Sequence, residues 1–220
     1  MSAVEESKTI ATLAAVKDYM LLRRVSWSTY QALLEAWGPR APRHTYDRGS
    51  LEIMAKSSLH EILKSILGTL LRALCEELRR PYVGGGETTL QKEDIDRGIE
   101  PDNCFWLANA QRVVGKLQID FDRDPPPDLF LEVEVSRTVL NRLDVLAALG
   151  VPEVWRFDGQ KLQAGVLQEN GTYSWSDHSP TFPELSLDEL VRFVEQVKTS
   201  DHMTITLAFR AWAQQHFKKP

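Results

Sequence analysis

The sequence predicts one α/β domain, and three observations carry that reading. From Ser58 to about Arg80 runs a stripe of Leu59, Ile62, Leu63, Ile66, Leu67, Leu70, Leu71 and Leu74 at helical spacing. Short β-type runs bounded by turn residues recur on both sides of it. The chain has 220 residues, 43% of them hydrophobic and 26% charged, which suits one domain of ordinary size with a real core.

Along the chain, residues 1–22 are weakly amphipathic and read as an N-terminal helix or a frayed arm. Ser26 caps a helix through Trp27, Tyr30, Leu33, Leu34 and Trp37, ended by Gly38-Pro39. His44 to Met54 reads as a β-hairpin turning at Asp47 to Ser50. The long leucine-striped helix follows, capped by Ser57 or Ser58 and stopped before Pro81. Gly84-Gly85-Gly86 turns into a short strand, and lacks the lysine and spacing of a phosphate-binding loop. Lys92 to Gly98 is a charged loop, Asp102 to Leu107 a strand, and 109–115 a short helix. Beyond the strand at 127–135, a helix over Thr138–Leu149 ends at Gly150. Strands follow at 151–157, 161–167 and 173–175, then helices starting at Ser186 and Asp201. Leu207, Trp212 and Phe217 read as packing residues. The simplest division is an N-terminal extension over 1–25, a domain over 26–198 and a C-terminal helix over 199–220.

Composition bounds the function. A net charge of −5 counts against a large non-specific nucleic-acid binder but not against a nuclease, because acidic ligands contribute to the total and basic patches are local. Arg23-Arg24, Arg40, Arg43, Arg48, Arg79-Arg80, Arg137 and Arg142 could form such patches, although most of them read as solvated surface. No apolar run approaches the roughly 20 residues that span a bilayer, and the first residues do not read as a signal peptide. Cys75 and Cys104 lack metal-ligand spacing and read as reduced, packed thiols of a cytoplasmic protein.

The chemistry concentrates in the stretch from Pro127 to Val135. Leu129, Leu131, Val133 and Val135 alternate there with Asp128, Phe130, Glu132 and Glu134. Strand side chains two apart share a face, so Glu132 and Glu134 point the same way. Paired carboxylates repel, and burial raises the pKa of at least one; a cation between them, or open water, removes the difficulty. With Asp102 at the start of a neighbouring strand, three acids converge on one hard divalent ion, as in a Mg2+-dependent phosphodiesterase. The same residues also read as one wet face of an edge strand. On the long helix His60 falls at the margin of the apolar stripe and Glu61 on the solvent side. His60 either reaches a cleft or is satisfied at the helix edge. Glu52 and Glu61 read as solvated, Asp128 as a capping or turn residue, and Glu153 and Trp155 as structural. Glu87 comes near the site only if its strand runs that way.

Residues 20–195 resemble the Uma-two family of restriction endonucleases, within the PD-(D/E)XK nuclease superfamily. The resemblance rests on Ser26-Trp27 with Tyr30, Tyr46-Asp47-x-Gly49-x-Leu51-Glu52 and His60-Glu61. It continues through Glu100-Pro101-Asp102, Pro127-Asp128 with Glu132, and Leu149-Gly150-Val151-Pro152-Glu153-Val154-Trp155. It implies a restriction-endonuclease-like core, a central mixed sheet flanked by helices, with an extra C-terminal hairpin and helices. It also implies Mg2+ (or Mn2+), DNA as substrate and cleavage of phosphodiester bonds. Asp102 matches the motif aspartate and Glu132 the second acid. Glu134 stands where the superfamily has lysine, and Arg142 where many relatives carry a lysine on the following helix. In the mechanism this implies, Asp102 and Glu132 hold the ion, with Glu134 as third ligand or base. Arg142 stabilises charge at phosphorus, and His60 flanks the site. Arginine is a poor general base, being effectively never neutral. The alternative is therefore an inactive nuclease-fold module that binds DNA or a protein partner. A homodimer suits an enzyme cutting both strands.

Overall fold

The computed structural model describes residues 19–38, 41–135 and 138–217. Two sheets organise it. The first is antiparallel and contains β1 (Tyr19–Arg23), β2 (His44–Asp47), β3 (Ser50–Met54), β5 (Leu90–Lys92) and β6 (Arg97–Ile99), in the order β1-β3-β2-β6-β5. The second has the order β11-β10-β9-β8-β7-β4, and contains β4 (Val83–Gly84), β7 (Asn103–Trp106), β8 (Leu129–Val133), β9 (Glu153–Phe157), β10 (Leu162–Leu167) and β11 (Tyr173–Ser176). Its pairs are antiparallel except β8 with β9, so this sheet is mixed, as the resemblance implies.

Parallel neighbours need a crossover, and α4 (Arg142–Ala148) supplies it between β8 and β9. The long helix α2 (Ser58–Glu77) covers the other face of the mixed sheet. Its Leu63, Ile66, Leu67, Leu70 and Leu74 join Leu129, Leu131 and Val133 of β8 in the main core. The helices α5 (Leu187–Val194) and α6 (His202–His216), joined by a 3-10 turn, complete that layer. On the α4 side, Phe130 packs with Cys104, Trp106, Val145 and Leu146, close to the short helix α3 (Ala110–Val113). Cys75 on α2 and Cys104 on β7 are therefore free, buried thiols on opposite faces of one sheet. Burial pushes each of them up to about 12. The antiparallel sheet has its own small core, with Tyr30 of α1 (Trp27–Trp37) stacked on Tyr46 at 4.4 Å between centroids.

Local signals place most ends. Ser26, Ser57 and Asp201 accept amide hydrogen bonds as N-caps of α1, α2 and α6, and the expected hairpin forms, with Asp47 paired to Ser50 across its turn. Several expectations need correction. Tyr19–Arg23 is a strand paired with β3 rather than a helix or arm; residues 1–18, Pro39, Arg40 and Arg137 lie outside the described residues. The loop expected at Lys92–Gly98 runs into β6. The helix expected over 138–149 begins only at Arg142, capped by Asn141. The strand expected over 127–135 ends at Val133, and every residue in it is buried, so the acid alternation marks a strand covered on both faces rather than a wet one. Glu52 is buried rather than solvated, accepting the amides of Val139 and Leu140 at 2.7 and 3.0 Å and so fixing the approach to α4. Leu207 is exposed, whereas Trp212 and Phe217 pack as expected. Among the described residues no helix is long and apolar enough to cross a membrane.

Gly98 is among the glycines demanded by packing. A Cβ at Gly98 on β6 would stand 2.3 Å from the Tyr30 hydroxyl. Gly98→Ala is expected to destabilise the protein by about 1–3 kcal/mol through overpacking, measured by urea unfolding; an unchanged midpoint would show that Tyr30 moves aside freely.

Candidate active site

The two strands β7 and β8 bring the first two acids together. Asn103 pairs with Leu131 in the antiparallel register, and Asp102 and Glu132 lie one step further along. Val133 N–H donates to Asp102 Oδ2 at 2.7 Å, tying the two strand ends. Both acids are buried, and Glu132 shares the Phe130 face of β8, toward α4. An unpaired carboxylate there would cost several kcal/mol or take up a proton.

Two arginines prevent that. Arg142, the first residue of α4, grips Glu132 through Nε to Oε2 at 2.9 Å and Nη2 to Oε1 at 2.7 Å. Its Nη1 also donates to Thr45 Oγ1 at 2.6 Å and the His44 carbonyl at 3.3 Å, and Nη2 to the Glu100 carbonyl at 2.8 Å. Every nitrogen of this guanidinium is thus engaged inside the protein. Arg43, just before β2, lies between the acids. Its Nη2 donates to Glu132 Oε2 at 2.6 Å and to Asp102 Oδ2 at 3.2 Å, and its Nε stands 2.9 Å from Asp102 Oδ1. Burial works against the charge on Arg43, but the carboxylates of Glu132 and Asp102 hold its pKa above the usual value. Burial likewise opposes ionisation of Asp102, and contacts from His60 and Arg43 hold its pKa below the ordinary range.

His60 enters from the first turn of α2, where Ser57 Oγ accepts its amide at 3.1 Å. It is buried, with Nε2 3.0 Å from Asp102 Oδ1 and Nδ1 3.1 Å from Glu61 Oε1. Of its two expected fates, the structure selects the interior. Glu61 is bound to it rather than simply solvated. Asp102, Glu132, Arg142 and His60 therefore form one constellation. Glu134 follows the end of β8, part-exposed and 3.8 Å from Arg156 Nε, close enough to Glu132, Arg142 and Arg43 to feel their charges. Burial raises its pKa, Arg156 opposes that, and the charge of Glu132 adds to it.

Sequence reasoning missed the place of Arg43, grouped only with arginines that could form surface patches, and the two lysines at the rim. Lys56 Nζ reaches Glu87 at 2.7 Å and Glu100 at 3.3 Å, while Lys64 Nζ reaches Glu61 at 2.7 Å and Glu87 at 2.5 Å. Lys64 lies four residues after His60 on α2, a spacing that could have flagged it. Asp128 caps, as expected, accepting the Leu107 and Asn109 amides at 2.7 and 2.9 Å. Glu153 is structural, holding Trp155 Nε1 at 2.7 Å and Ser179 Oγ at 2.5 Å. Among the described residues no three His, Cys, Asp or Glu side chains stand in a ready-made metal-ligating group; Asp102 and Glu132 share Arg43 instead, and His60 meets Asp102.

Behind this constellation His44 Nδ1 donates to the Pro42 carbonyl at 2.8 Å, so its Nε2 accepts from Tyr30 Oη at 2.9 Å. Burial holds His44 down to about 4, and burial holds neighbouring Glu100 up to about 7. As pH falls below about 6.5, the unfolded chain protonates His44 first, and stability is lost. As pH rises above about 4.5, the unfolded chain ionises Glu100 first, and stability is again lost. Between pH 7 and pH 5 each effect is worth about 2 kcal/mol, with opposite sign. Relative to wild type, His44→Gln is expected to gain stability on acidification across that range and Glu100→Gln to lose it, read by urea unfolding at both pH values. Parallel curves for all three would refute the assignment. Arg142→Met leaves Glu132 without its bidentate partner and is expected to cost about 3–5 kcal/mol, seen as a lowered unfolding midpoint; a loss below about 1 kcal/mol would show that Arg43 suffices.

No curated protein matches the chain. Residues 27–199 match the model of the Uma2 family, described as "Putative restriction endonuclease". That span covers both sheets, α2, α4 and the whole acid–arginine constellation. The mixed α/β architecture agrees with a restriction-endonuclease-like fold, and the chain belongs to the Uma2 family of restriction-endonuclease type.

Proposed function

We propose that the chain is an endonuclease that hydrolyses phosphodiester bonds in DNA, with Mg2+, or Mn2+ in its place, at its acid pair. The observation that supports this reading is that the buried carboxylates of Asp102 and Glu132 share one cation, the Arg43 guanidinium, with His60 Nε2 against Asp102 Oδ1. The donor set suits a divalent ion: two carboxylates are hard oxygen ligands, and the space between them already attracts a cation, the Arg43 guanidinium. Asp102 and Glu132 would hold the ion. When bound, it supplies charge neutralisation at the scissile phosphate and a water more easily deprotonated.

The chain's own residues supply the rest. Arg142 acts through Glu132 as a positioning residue, since its guanidinium is fully engaged within the protein. Glu134, whose pKa burial raises, is the group suited to take a proton from the attacking water. Lys56 and Lys64, at the rim, are the cations suited to meet the phosphate backbone. A homodimer would bring two such sites to opposite strands of a duplex.

One observation favours a second reading, a nuclease-fold module that binds DNA or a protein partner without cutting. All four oxygens of Asp102 and Glu132 face nitrogens of the protein, and no lysine occupies position 134 or 142. Supercoiled plasmid with Mg2+ or Mn2+ separates the two. Nicking that is lost on chelation and falls by at least about 100-fold in Glu132→Gln is the expected result. A wild type that retards DNA in a gel but never nicks it would overturn the enzyme in favour of the module.

A further inference from the structure

The two arginines of the site are not equivalent. Arg142 has a well-oriented acceptor for each nitrogen. Arg43 does not: among the described residues its Nη1 has only the Met54 sulfur, 3.6 Å away, and its buried Nε, though 2.9 Å from Asp102 Oδ1, makes no hydrogen bond. His60 Nε2 has the same defect against the same oxygen, at 3.0 Å. Two of the buried side-chain atoms left without a hydrogen bond among the described residues thus crowd Asp102 Oδ1. Native interiors rarely tolerate such atoms without a reason. Glu61 Oε1 lies 3.1 Å from His60 Nδ1, so that carboxylate can hold the ring proton on Nδ1 and leave Nε2 free as a ligand once a metal ion replaces the arginine. A carboxylate behind one ring nitrogen is the arrangement that orients a metal-ligating imidazole.

We propose that Arg43 is the resident cation of this site, and that a divalent ion binds only in exchange for its guanidinium, taking Asp102, Glu132 and His60 Nε2 as ligands. This rests on the reading that the acid pair takes a divalent ion. The exchange raises the charge beside the acids by one unit, so that the ion offsets both carboxylates, and it relieves the two misaligned contacts at Asp102 Oδ1. It also sets the order of events, because an ion arriving at the wild-type site must displace a buried side chain before it meets both carboxylates. The apparent affinity is therefore the intrinsic affinity reduced by the fraction of molecules in which Arg43 has withdrawn.

The test is calorimetric titration of Mn2+ into the full chain. Arg43→Gln is expected to bind at least about tenfold more tightly than wild type, and adding His60→Phe to Arg43→Gln to reverse most of that gain. Arg43→Lys, which keeps the charge but cannot span both acids with one planar group, is expected to fall between. If Arg43→Gln is unfolded alone, folding on addition of Mn2+, followed by far-ultraviolet circular dichroism, supports the exchange, and Arg43→Lys carries the affinity comparison. Wild type binding as tightly as Arg43→Gln and Arg43→Lys would overturn the exchange while leaving the metal site standing. Binding by none of the folded proteins would overturn both the exchange and the metal reading. Full affinity after His60→Phe would remove the histidine from the ligand set and overturn that part of the proposal.

Discussion

The grip of two guanidiniums on the buried Glu132 carboxylate is the interaction on which the rest of the molecule depends. Arg142 comes from the crossover helix, Arg43 from the approach to the hairpin sheet, and Glu132 from the centre of the mixed sheet. Each sheet has its own core, and this contact is a buried polar bond between them. The network is satisfied only because the backbone around it is in register. Thr45 and the His44 carbonyl are presented by β2, and the Glu100 carbonyl by the segment just beyond β6. Buried networks of this kind are weak evidence for stability in themselves, but breaking one side is costly, so they specify an arrangement more than they strengthen it.

The separation in sequence explains what could and could not be read. Hydrophobic period reports which face of a local segment is apolar. It located α2, the strand around Leu131, the Asp47–Ser50 turn and the last two helices. It reports nothing about partners 89 residues apart, as Arg43 and Glu132 are. The burial of Arg43 was invisible for that reason, and so was that of Glu52, whose amide donors lie 87 and 88 positions away. Charged residues were assigned to solvent by their average behaviour, and these are the exceptions that a functional site creates.

The candidate site was legible in a different way. Asp102, Glu132, His60 and Arg142 were identified by motif order and spacing, and they do converge. Glu134 was grouped with Glu132 by strand period; β8 ends at Val133, and the Glu134 amide still donates to the Phe157 carbonyl at 2.8 Å. The departure from the superfamily pattern, arginine and glutamate where lysine is usual, is matched in space by a second departure. Positive charge has moved inward, onto Arg43 and Arg142, and the lysines stand at the rim.

The placement of the two cysteines has a consequence for how the molecule can be watched. Cys75 looks into the core beneath α2, and Cys104 into the core beneath α4. Each thiol is fully covered and held protonated near neutral pH by burial, up to about 12, so neither is a nucleophile while its layer is closed. A thiol reagent would therefore react only through opening fluctuations, and its rate at each cysteine would time the breathing of one face of the mixed sheet independently of the other. Because Cys104 sits two residues from Asp102 on the strand segment that carries the acid, its clock would also record how often the floor of the site comes apart.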